Sequence, residues 1–372
     1  MKSRRNFMFL LCSMLVLGFL YYSFGKLHLR TWVQKSQADL DRLRPMRQVI
    51  ASEYDKQGFL TKLDGKLPLE LQYKYGNLSK GECKPGYAAA KMTSIYPKFS
   101  KPAPIFLDQN FKRLSRISRY PPPFGVRSQE NIIDLILKAT KRYSLGPEMD
   151  RMSCKRCIII GNGGILLSKS LGSRIDGYDV VVRLNSAPVS GFEKYVGSKT
   201  TMRITYPEGS IQKLAQYEKY SLFVLSAFKS MDFKWLRDIV FNERPRTTEG
   251  FWKSVALGIP REPVDMRILN PYFIQEAAFR LIGLPHNNGL MGRGNIPTLG
   301  AVAITMALHN CDEVAVAGFG YDLNSPNAPV HYYETLKMSA IKESWTHDIP
   351  KEKEFLRKLV KGGVIQDLTN GI

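Results

Sequence analysis

The sequence predicts an α/β fold built on parallel strands, and three features indicate it. Arg156–Ile160 is a short, β-branched run, which is typical of a buried parallel strand. The glycine-rich turn Gly161–Gly164 follows at once, and Ile165–Leu171 then has the composition of a helix. A second predicted strand, Asp179–Leu184, completes a strand–turn–helix–strand unit.

This unit predicts a ligand site at the carboxyl edge of the sheet, where open α/β sheets bind their ligands. The glycines allow close approach of the backbone, and the N-terminus of the predicted helix would attract a phosphate. We expect Arg183 and Asn185 to reach the same edge. Because the turn lacks the G-x-G-x-x-G spacing and no acidic residue ends the second strand, a single nucleotide suits the site better than a nicotinamide dinucleotide. A structural glycine turn without a ligand is the alternative.

A second unit near the C-terminus has a predicted helix followed by a predicted strand that ends in glycines. Thr298 fits the N-cap of an apolar helix that continues through Gly300–Leu308. Val314–Ala317 then forms a short buried strand that ends in Gly318 and Gly320. The helix start and the strand end are placed to meet one ligand, and ordinary core packing is the alternative.

Two histidines follow in a polar, loop-rich tail. His331 stands three residues before Glu334, and His347 stands five residues before Glu352. Histidine is the usual general base near neutral pH, and a nearby carboxylate can orient it. A purely structural role is the alternative for each ring.

The N-terminus predicts a membrane anchor with the rest of the chain in an oxidising compartment. The uncharged run 7–25 follows a basic start, and 19 helical residues span about 28 Å, close to the thickness of a bilayer core. It ends in Tyr21, Tyr22 and Phe24 rather than in the small residues of a cleaved signal peptide, which is the alternative. We therefore divide the chain into a cytoplasmic tail (1–6), an anchor (7–25), a stem (26–72) and a luminal catalytic domain (73–372).

Cysteine usage agrees with a luminal chain. Four cysteines lie outside the anchor, enough for two disulfides: Cys83, Cys154, Cys157 and Cys311. A zinc site at the C-x-x-C pair is the alternative, but it would need a second close pair or nearby histidines. The sequon at Asn77 is a predicted glycosylation site.

The net charge limits the possible partners, and the length limits the number of domains. The formal net charge is +21, a value that first suggests nucleic acid. An anchored luminal chain does not meet nucleic acid, so we interpret the charge as attraction for anionic substrates and membrane surfaces. After the anchor, the length suffices for one large α/β domain or two small ones.

In order and spacing, four segments resemble the motifs of animal sialyltransferases, glycosyltransferase family 29. Residues 157–201 resemble the large motif and residues 295–318 the small motif. HYYE at His331 resembles the third motif, and His347 with Glu352 resembles the very small motif. GNGG, RITYPEG, NPYFIQEAAF and NAPVHYYE resemble most the α-2,3 branch that acts on β-galactosides.

The resemblance implies a Golgi type II membrane enzyme with a variant GT-A-like fold: a single Rossmann-like domain whose mostly parallel, twisted sheet is flanked by helices. It implies inverting transfer of sialic acid from CMP-sialic acid to the 3-hydroxyl of terminal galactose, on Galβ1-3GlcNAc or Galβ1-4GlcNAc glycans of glycoproteins and glycolipids. The implied partners are CMP-sialic acid, these glycans and the Golgi membrane. Whether the enzyme forms a homo-oligomer is left open.

The motifs also imply the nucleotide contacts. Asn162 and Asn185 would hold the ribose and phosphate of CMP. The remaining contacts are the cytidine side of the pocket and the glycines that close it: Thr298, Leu299, Gly300, Gly318 and Gly320. Ile296 stands where related α-2,3 enzymes often have tyrosine, so one nucleotide contact is unassigned, and Tyr272 is a candidate to supply it.

Catalytic roles follow from the same resemblance. His331 would contact the departing phosphate, and His347 would be the general base, with Tyr332 and Glu352 as further substrate contacts. The resemblance also implies a disulfide between Cys157 and Cys311, and with it one between Cys83 and Cys154.

The implied chemistry requires orientation of an activated sugar, stabilisation of the leaving phosphate and removal of one proton. The only D-x-D sequence, at Asp39–Asp41, lies in the predicted stem, so the sequence predicts neither a metal nor another cofactor. A sialyltransferase of another linkage or acceptor, and a non-catalytic luminal glycan-binding protein, remain alternatives. The two histidines favour an enzyme.

Overall fold

A seven-stranded parallel sheet forms the centre of the molecule. The computed structural model describes residues 69–79, 81–99, 103–245, 250–320, 322, 325–340 and 344–372, and all of them belong to one compact unit. Every neighbouring pair of strands is parallel, in the order β5-β4-β3-β2-β1-β6-β7. The strands are β1 Arg156–Ile160, β2 Val180–Leu184, β3 Met202–Thr205, β4 Leu222–Leu225, β5 Met266–Ile268, β6 Glu313–Ala317 and β7 Ile365–Asp367.

Helices cover both faces of this sheet. The α-helices are α1 Leu69–Tyr75, α2 Tyr87–Ile95, α3 Ser115–Ser118, α4 Glu130–Thr140, α5 Pro147–Asp150, α6 Gly172–Asp176, α7 Glu193–Val196, α8 Ser230–Val240, α9 Tyr272–Gln275, α10 Leu299–Asn310 and α11 Ile349–Lys361. A π-helix, Glu276–Ile282, continues α9. Short 3-10 helices occupy Phe111–Arg113, Gly164–Ser168, Pro207–Gly209, Leu214–Gln216, Pro263–Asp265, Asn287–Gly289 and Met338–Ala340.

Alternation along β1 shows how the sheet packs against helices on both of its faces. Ile158 and Ile160 belong to one buried cluster, whereas Ile159 belongs to the other. Because successive side chains of a strand point to opposite faces, β1 contributes to both apolar layers, as its unbroken β-branched run predicts. The predicted α/β class with one domain and a parallel sheet is confirmed.

Two disulfides fix the N-terminal edge of the sheet, and both agree with the implied pairing. Cys157 in β1 is bonded to Cys311, which stands between α10 and β6. Cys83 before α2 is bonded to Cys154, two residues before β1. The disulfides therefore join the first strand to the second ligand-facing unit and to the N-terminal segment.

The N-terminal predictions fall largely outside the described residues. The anchor at 7–25 and most of the stem lie there, and none of the helices in the described part of the chain is long and apolar enough to cross a membrane. The predicted stem boundary at residue 73 falls within α1, where Leu71 and Tyr75 are buried. Asn77, in the predicted sequon, is exposed.

Candidate active site

A cavity of about 650 Å³ opens at the carboxyl edge of the sheet. β1 and β6 are neighbours there although four strands separate them in sequence, so the chain reverses its direction of winding between them. Such a switch point leaves a crevice in which α/β proteins bind ligands. Most of the predicted site residues line this cavity: Asn162, Asn185, Thr298, Leu299, Gly300, Gly318, Gly320, His331, His347 and Glu352.

The glycine turn after β1 packs directly on the glycine-rich end of β6. The Gly161 amide donates to the Ala317 carbonyl (2.7 Å), and the Gly163 amide donates to the Gly318 carbonyl (2.9 Å). A Cβ on Gly163 would lie 2.7 Å from the Gly318 oxygen. The turn is therefore glycine-rich because two backbones meet, in addition to any ligand they bind.

The helix predicted at 165–171 is wrong. A short 3-10 helix, Gly164–Ser168, stands in its place, and α6 begins only at Gly172. The Gly164 amide donates to the Val330 carbonyl (3.2 Å), so it is not free for a phosphate. The turn packs against the segment around Pro329, and a Cβ on Gly164 would overlap the Pro329 carbonyl oxygen. The expected helix N-terminal phosphate site is thus absent at this turn.

Two asparagine amides line the cavity next to the turn. Asn162 Oδ1 is buried and has no hydrogen-bond partner among the described residues. Asn185, with φ 53°, leaves β2 in the left-handed conformation, and its Oδ1 accepts a hydrogen bond from Thr205 Oγ1 (3.4 Å). An unpaired buried oxygen is costly, so Asn162 suits a ligand that donates a hydrogen bond.

Arg183 does not reach the cavity, contrary to the sequence-based expectation. Its guanidinium is buried and donates to Thr200 Oγ1 (2.8 Å) and to the carbonyls of Val196 and Lys199 (both 2.8 Å). Burial lowers its pKa to about 10, so it remains charged at neutral pH. Arg183 and Asn185 are two positions apart, so an extended strand would point both side chains to the same face. The left-handed conformation of Asn185 ends the strand there, and the two side chains diverge. The cation holds the connection between β2 and β3.

The start of α10 is tied to α11 by a buried carboxylate. Thr298 is the N-cap, as predicted, and accepts a hydrogen bond from the Ala301 amide (3.3 Å). Glu352 accepts from the Thr298 amide at Oε1 (2.7 Å) and from Thr298 Oγ1 at Oε2 (2.5 Å). Burial raises the pKa of Glu352 to about 7, although both bonds from Thr298 oppose the shift. Glu352 therefore positions the cavity wall through Thr298, whereas His347 is bonded to the Ile296 carbonyl.

His347 is held by backbone rather than by a carboxylate. Its Nδ1 lies 2.8 Å from the Ile296 carbonyl oxygen, which only accepts, so Nδ1 donates and Nε2 carries the lone pair of the neutral ring. Burial lowers the pKa of His347, which keeps the imidazole neutral near pH 7. A neutral ring with a free lone pair at Nε2 is the form that a general base requires.

His331 has the carboxylate partner that its sequence neighbourhood predicts. Nδ1 lies 2.8 Å from Glu334 Oε2, and the ring stacks on Tyr333 at 5.4 Å between centroids. These contacts fix the ring and leave Nε2 for a ligand. The backbone at His331 pairs with Gly163, which brings the ring beside the glycine turn.

Two predicted substrate contacts lie outside the cavity. Tyr272 is buried and packs against Phe273, His309 and the Arg116 guanidinium, so the structure does not bring it to the cavity. Tyr332 is also buried, and its hydroxyl donates to the Pro188 carbonyl (2.5 Å). The Tyr272 and Tyr332 rings instead fill positions in the two hydrophobic clusters. Ile296 itself lines the cavity.

The sequence analysis did not predict the cavity residues that follow β3 and β4. Tyr206 and Glu208 follow β3, and Phe228 and Lys229 follow β4. The rule that ligands meet strand ends would have found these four once both strands were predicted. Trp252, Met291 and Trp345 come from loops, and their sequence gives no local signal. Among the described residues, no group of three or more histidine, cysteine or acidic side chains is placed to hold a metal.

Comparison with known proteins defines the class. Residues 106–364 match the model of glycosyltransferase family 29 (sialyltransferase). The chain is 65% identical over 368 residues to the CMP-N-acetylneuraminate-beta-1,4-galactoside alpha-2,3-sialyltransferases of mouse and human, with 99% of this chain and 98% of each relative covered. It is 42% identical to the lactosylceramide alpha-2,3-sialyltransferase of rat over 78% of this chain and 76% of that protein.

A solved structure agrees with the fold. The crystal structure of a mammalian sialyltransferase superposes with a TM-score of 0.58 at 25% identity, covering 78% of this chain and 98% of the other. The chain therefore belongs to glycosyltransferase family 29, the sialyltransferases, and it is a glycosyltransferase.

Proposed function

We propose that this enzyme transfers sialic acid from CMP-sialic acid to the 3-hydroxyl of terminal galactose on Galβ1-3GlcNAc or Galβ1-4GlcNAc glycans. The observation that carries the proposal is the convergence of four distant segments on one cavity: the glycine turn, the start of α10, His331 and His347. The donor and linkage agree with the names of the relatives at 65% identity.

His347 serves as the general base in this mechanism. Nε2 takes the proton of the galactose 3-hydroxyl while O3 attacks the anomeric carbon of sialic acid from the face opposite CMP. The bond to the phosphate oxygen breaks with its electron pair, so CMP leaves and the configuration inverts. The hydrogen bond to the Ile296 carbonyl supports the role because it fixes the tautomer.

The departing phosphate lies near the glycine turn in this proposal. His331, oriented by Glu334, directs Nε2 towards a phosphate oxygen. Asn162 and Asn185 hold the ribose and phosphate, and Thr298, Leu299 and Gly300 contact the cytidine. We propose that these dipoles and His331 suffice without a metal, since the only D-x-D sequence lies in the predicted stem.

We propose that the enzyme works in the Golgi as a single-pass type II membrane protein. The run 7–25 would anchor it, with residues 1–6 cytosolic and residues 26–72 as the stem of a luminal domain of variant GT-A type. The two disulfides and the exposed sequon at Asn77 support an oxidising lumen. Glycans of glycoproteins and glycolipids would be the acceptors there.

One assay tests the activity. The purified luminal domain is incubated with labelled CMP-sialic acid and a panel of galactosides, and the linkage of the product is determined. We expect label at O3 of β-linked galactose and none with N-acetylglucosamine alone. Label at O6, or transfer to sialic acid instead of galactose, would contradict the proposed linkage, and a release of CMP equal to the blank would contradict the activity.

A further inference from the structure

Large apolar side chains surround the mouth of the cavity while remaining in water. Trp252 is 69% exposed, Trp345 60% and Met291 51%, and all three line the cavity. Exposed apolar groups clustered at a cleft are typical of binding surfaces. Trp252 combines a flat apolar face with a polar N–H, which suits a partner that is itself amphipathic, such as a sugar ring.

The loop that carries Trp252 is hydrogen-bonded to a buried carboxylate that lines the cavity. The Trp252 amide donates to Glu208 Oε1 (3.4 Å), and the Glu208 side chain is fully buried. Lys229 Nζ binds the same oxygen (2.7 Å) and lies 2.9 Å from Asp232 Oδ1. Its ammonium also lies 4.9 Å from the centre of the Phe251 ring. The backbone that carries the exposed indole is therefore anchored at the ends of β3 and β4.

The charges at this end of the cavity suit a neutral sugar. Lys229 is shared between the carboxylates of Glu208 and Asp232, so among the described residues this cluster provides no unpaired cation for the carboxylate of sialic acid. Glu208 Oε2 is buried and has no hydrogen-bond partner in the described part of the chain. A carboxylate oxygen in that state accepts from a hydroxyl group, which sugars supply.

The position of Trp252 distinguishes the donor from the acceptor. CMP-sialic acid is a small molecule that the switch point between β1 and β6 can enclose. The acceptor is the end of a longer glycan, so its inner sugars must leave through the mouth. A ring at the mouth consequently meets the sugar that precedes the terminal galactose. Lys253 Nζ lies 5.0 Å from the Trp252 ring centre and covers one face, which leaves the other face for that sugar.

We propose that Trp252 is a specificity-determining residue that stacks on the second sugar of the acceptor, the one to which the terminal galactose is attached. Glu208 is a positioning residue that holds the Trp252 loop through the backbone amide. The proposal rests on the proposed function, since it assumes a galactose-terminated acceptor. It adds a subsite for the inner sugar, built by the ends of β3 and β4.

The test compares a disaccharide with a monosaccharide acceptor. The kcat/KM values for Galβ1-4GlcNAc and for methyl β-galactoside are measured at saturating CMP-sialic acid, and their ratio is taken for each variant. We expect the ratio to fall about fivefold in Trp252→Ala, because one aromatic contact to the inner sugar is lost. Trp252→Phe should keep most of the ratio, since it keeps an aromatic face.

Tyr220→Ala is the matched control, because Tyr220 is 84% exposed but does not line the cavity. It should keep the wild-type ratio. An unchanged ratio in a folded Trp252→Ala protein would overturn the proposal, and so would a rise in KM for CMP-sialic acid with no change in the ratio. A wild-type enzyme that is active on neither galactoside would instead overturn the proposed function, which makes the two failures distinguishable.

Discussion

Ile296 contributes to the site through its backbone as well as its side chain. The Ile296 oxygen accepts from Nδ1 of His347, and the Ile296 side chain adds an apolar wall to the cavity. The replacement of tyrosine by isoleucine at this position therefore leaves the orientation of His347 intact. At the scale of single residues, the two histidines differ in what holds them: backbone for His347 and a carboxylate for His331.

His347→Ala should lower kcat by about two to four orders of magnitude while CMP binding stays nearly intact, because a general base acts on the acceptor proton. Burial lowers the pKa of His347 below its ordinary value near 6.5, so the base stays neutral at neutral pH. The wild-type kcat/KM should therefore hold near pH 7 and fall only below the usual histidine range. Stopped assays across pH 4.5–8, analysed with the mutant, check this.

A comparison with His331→Ala tests whether His347 is the general base. His331→Ala should slow turnover and also weaken CMP binding, since that ring is assigned to the phosphate. Calorimetry of CMP binding separates the two variants. A His347→Ala enzyme with near-normal kcat would show that the base lies elsewhere, and an acid limb that persists in its residual rate would show the same.

Glu352→Gln should change how stability depends on pH. The folded pKa of Glu352, about 7, lies above its unfolded value, so the contribution of this group to stability is present below the unfolded pKa and is lost as pH rises through 7. The difference between the folded and unfolded pKa values of Glu352 corresponds to on the order of 3 kcal/mol in the free energy of unfolding. The Tm of Glu352→Gln relative to wild type should therefore rise between about pH 4.5 and 7.5 in thermal unfolding scans. Glu354→Gln, exposed on the same helix, is the control, and a flat difference curve for Glu352→Gln would contradict the assignment.

Two glycine segments face each other at the scale of elements. Gly318 (φ 75°) and Gly320 (φ 94°) leave β6 in conformations that L-residues rarely adopt. Gly318 packs on the turn after β1, and Gly320 packs on the backbone at Gly371. Both segments line the cavity, so the C-terminal residues help to shape it. The shape of the switch point therefore depends on backbone contacts that side chains would disrupt.

Gly320→Ala should destabilise the domain and impair CMP binding together. A Cβ there would overlap the Gly371 carbonyl oxygen, and alanine at positive φ is strained by about 1 kcal/mol or more in addition. Gly258→Ala is the matched control, because its Cβ would meet no atom within 4 Å. Denaturant unfolding and CMP titration check both variants, and a Gly320→Ala protein with wild-type midpoint and affinity would contradict the argument.

The whole molecule brings distant parts of the chain to one edge of the sheet. β1 and β6 are adjacent, while the His331 and His347 loops follow β6 and cover the same edge. The Cys157–Cys311 disulfide, with a sequence separation of 154 residues, joins these two parts of the chain. A formal net charge of +21 would also attract an anionic donor over a distance.

Turnover should survive chelation by EDTA. The D-x-D sequence that many sugar transferases use to hold a metal on a diphosphate occurs here only at Asp39–Asp41, in the predicted stem. A monophosphate leaving group carries less charge, and His331 with nearby dipoles is assigned to it. Rates are measured with and without EDTA, with an Mn²⁺ add-back arm. Loss of activity in EDTA that Mn²⁺ restores would refute the metal-free mechanism.

The sequence by itself determined the fold class and the local elements of the site. Unbroken β-branched runs identify buried parallel strands because both faces are covered, and Thr298 before an apolar helix identifies an N-cap because its oxygen meets free amides. The order of four motifs identified the family, and the disulfide pairing followed from it. These signals are local or depend on spacing along the chain.

Only the tertiary structure decided which side chains face the cavity. Arg183 turns into the β2–β3 connection, Tyr272 and Tyr332 pack in the core, and a 3-10 turn replaces the predicted helix after Gly164. Each outcome depends on contacts with segments far away in sequence. The same reason applies to Trp252, whose loop is fixed by a buried carboxylate more than 40 residues earlier. The sequence specifies which residues form each element, whereas the packing of elements decides where their side chains point.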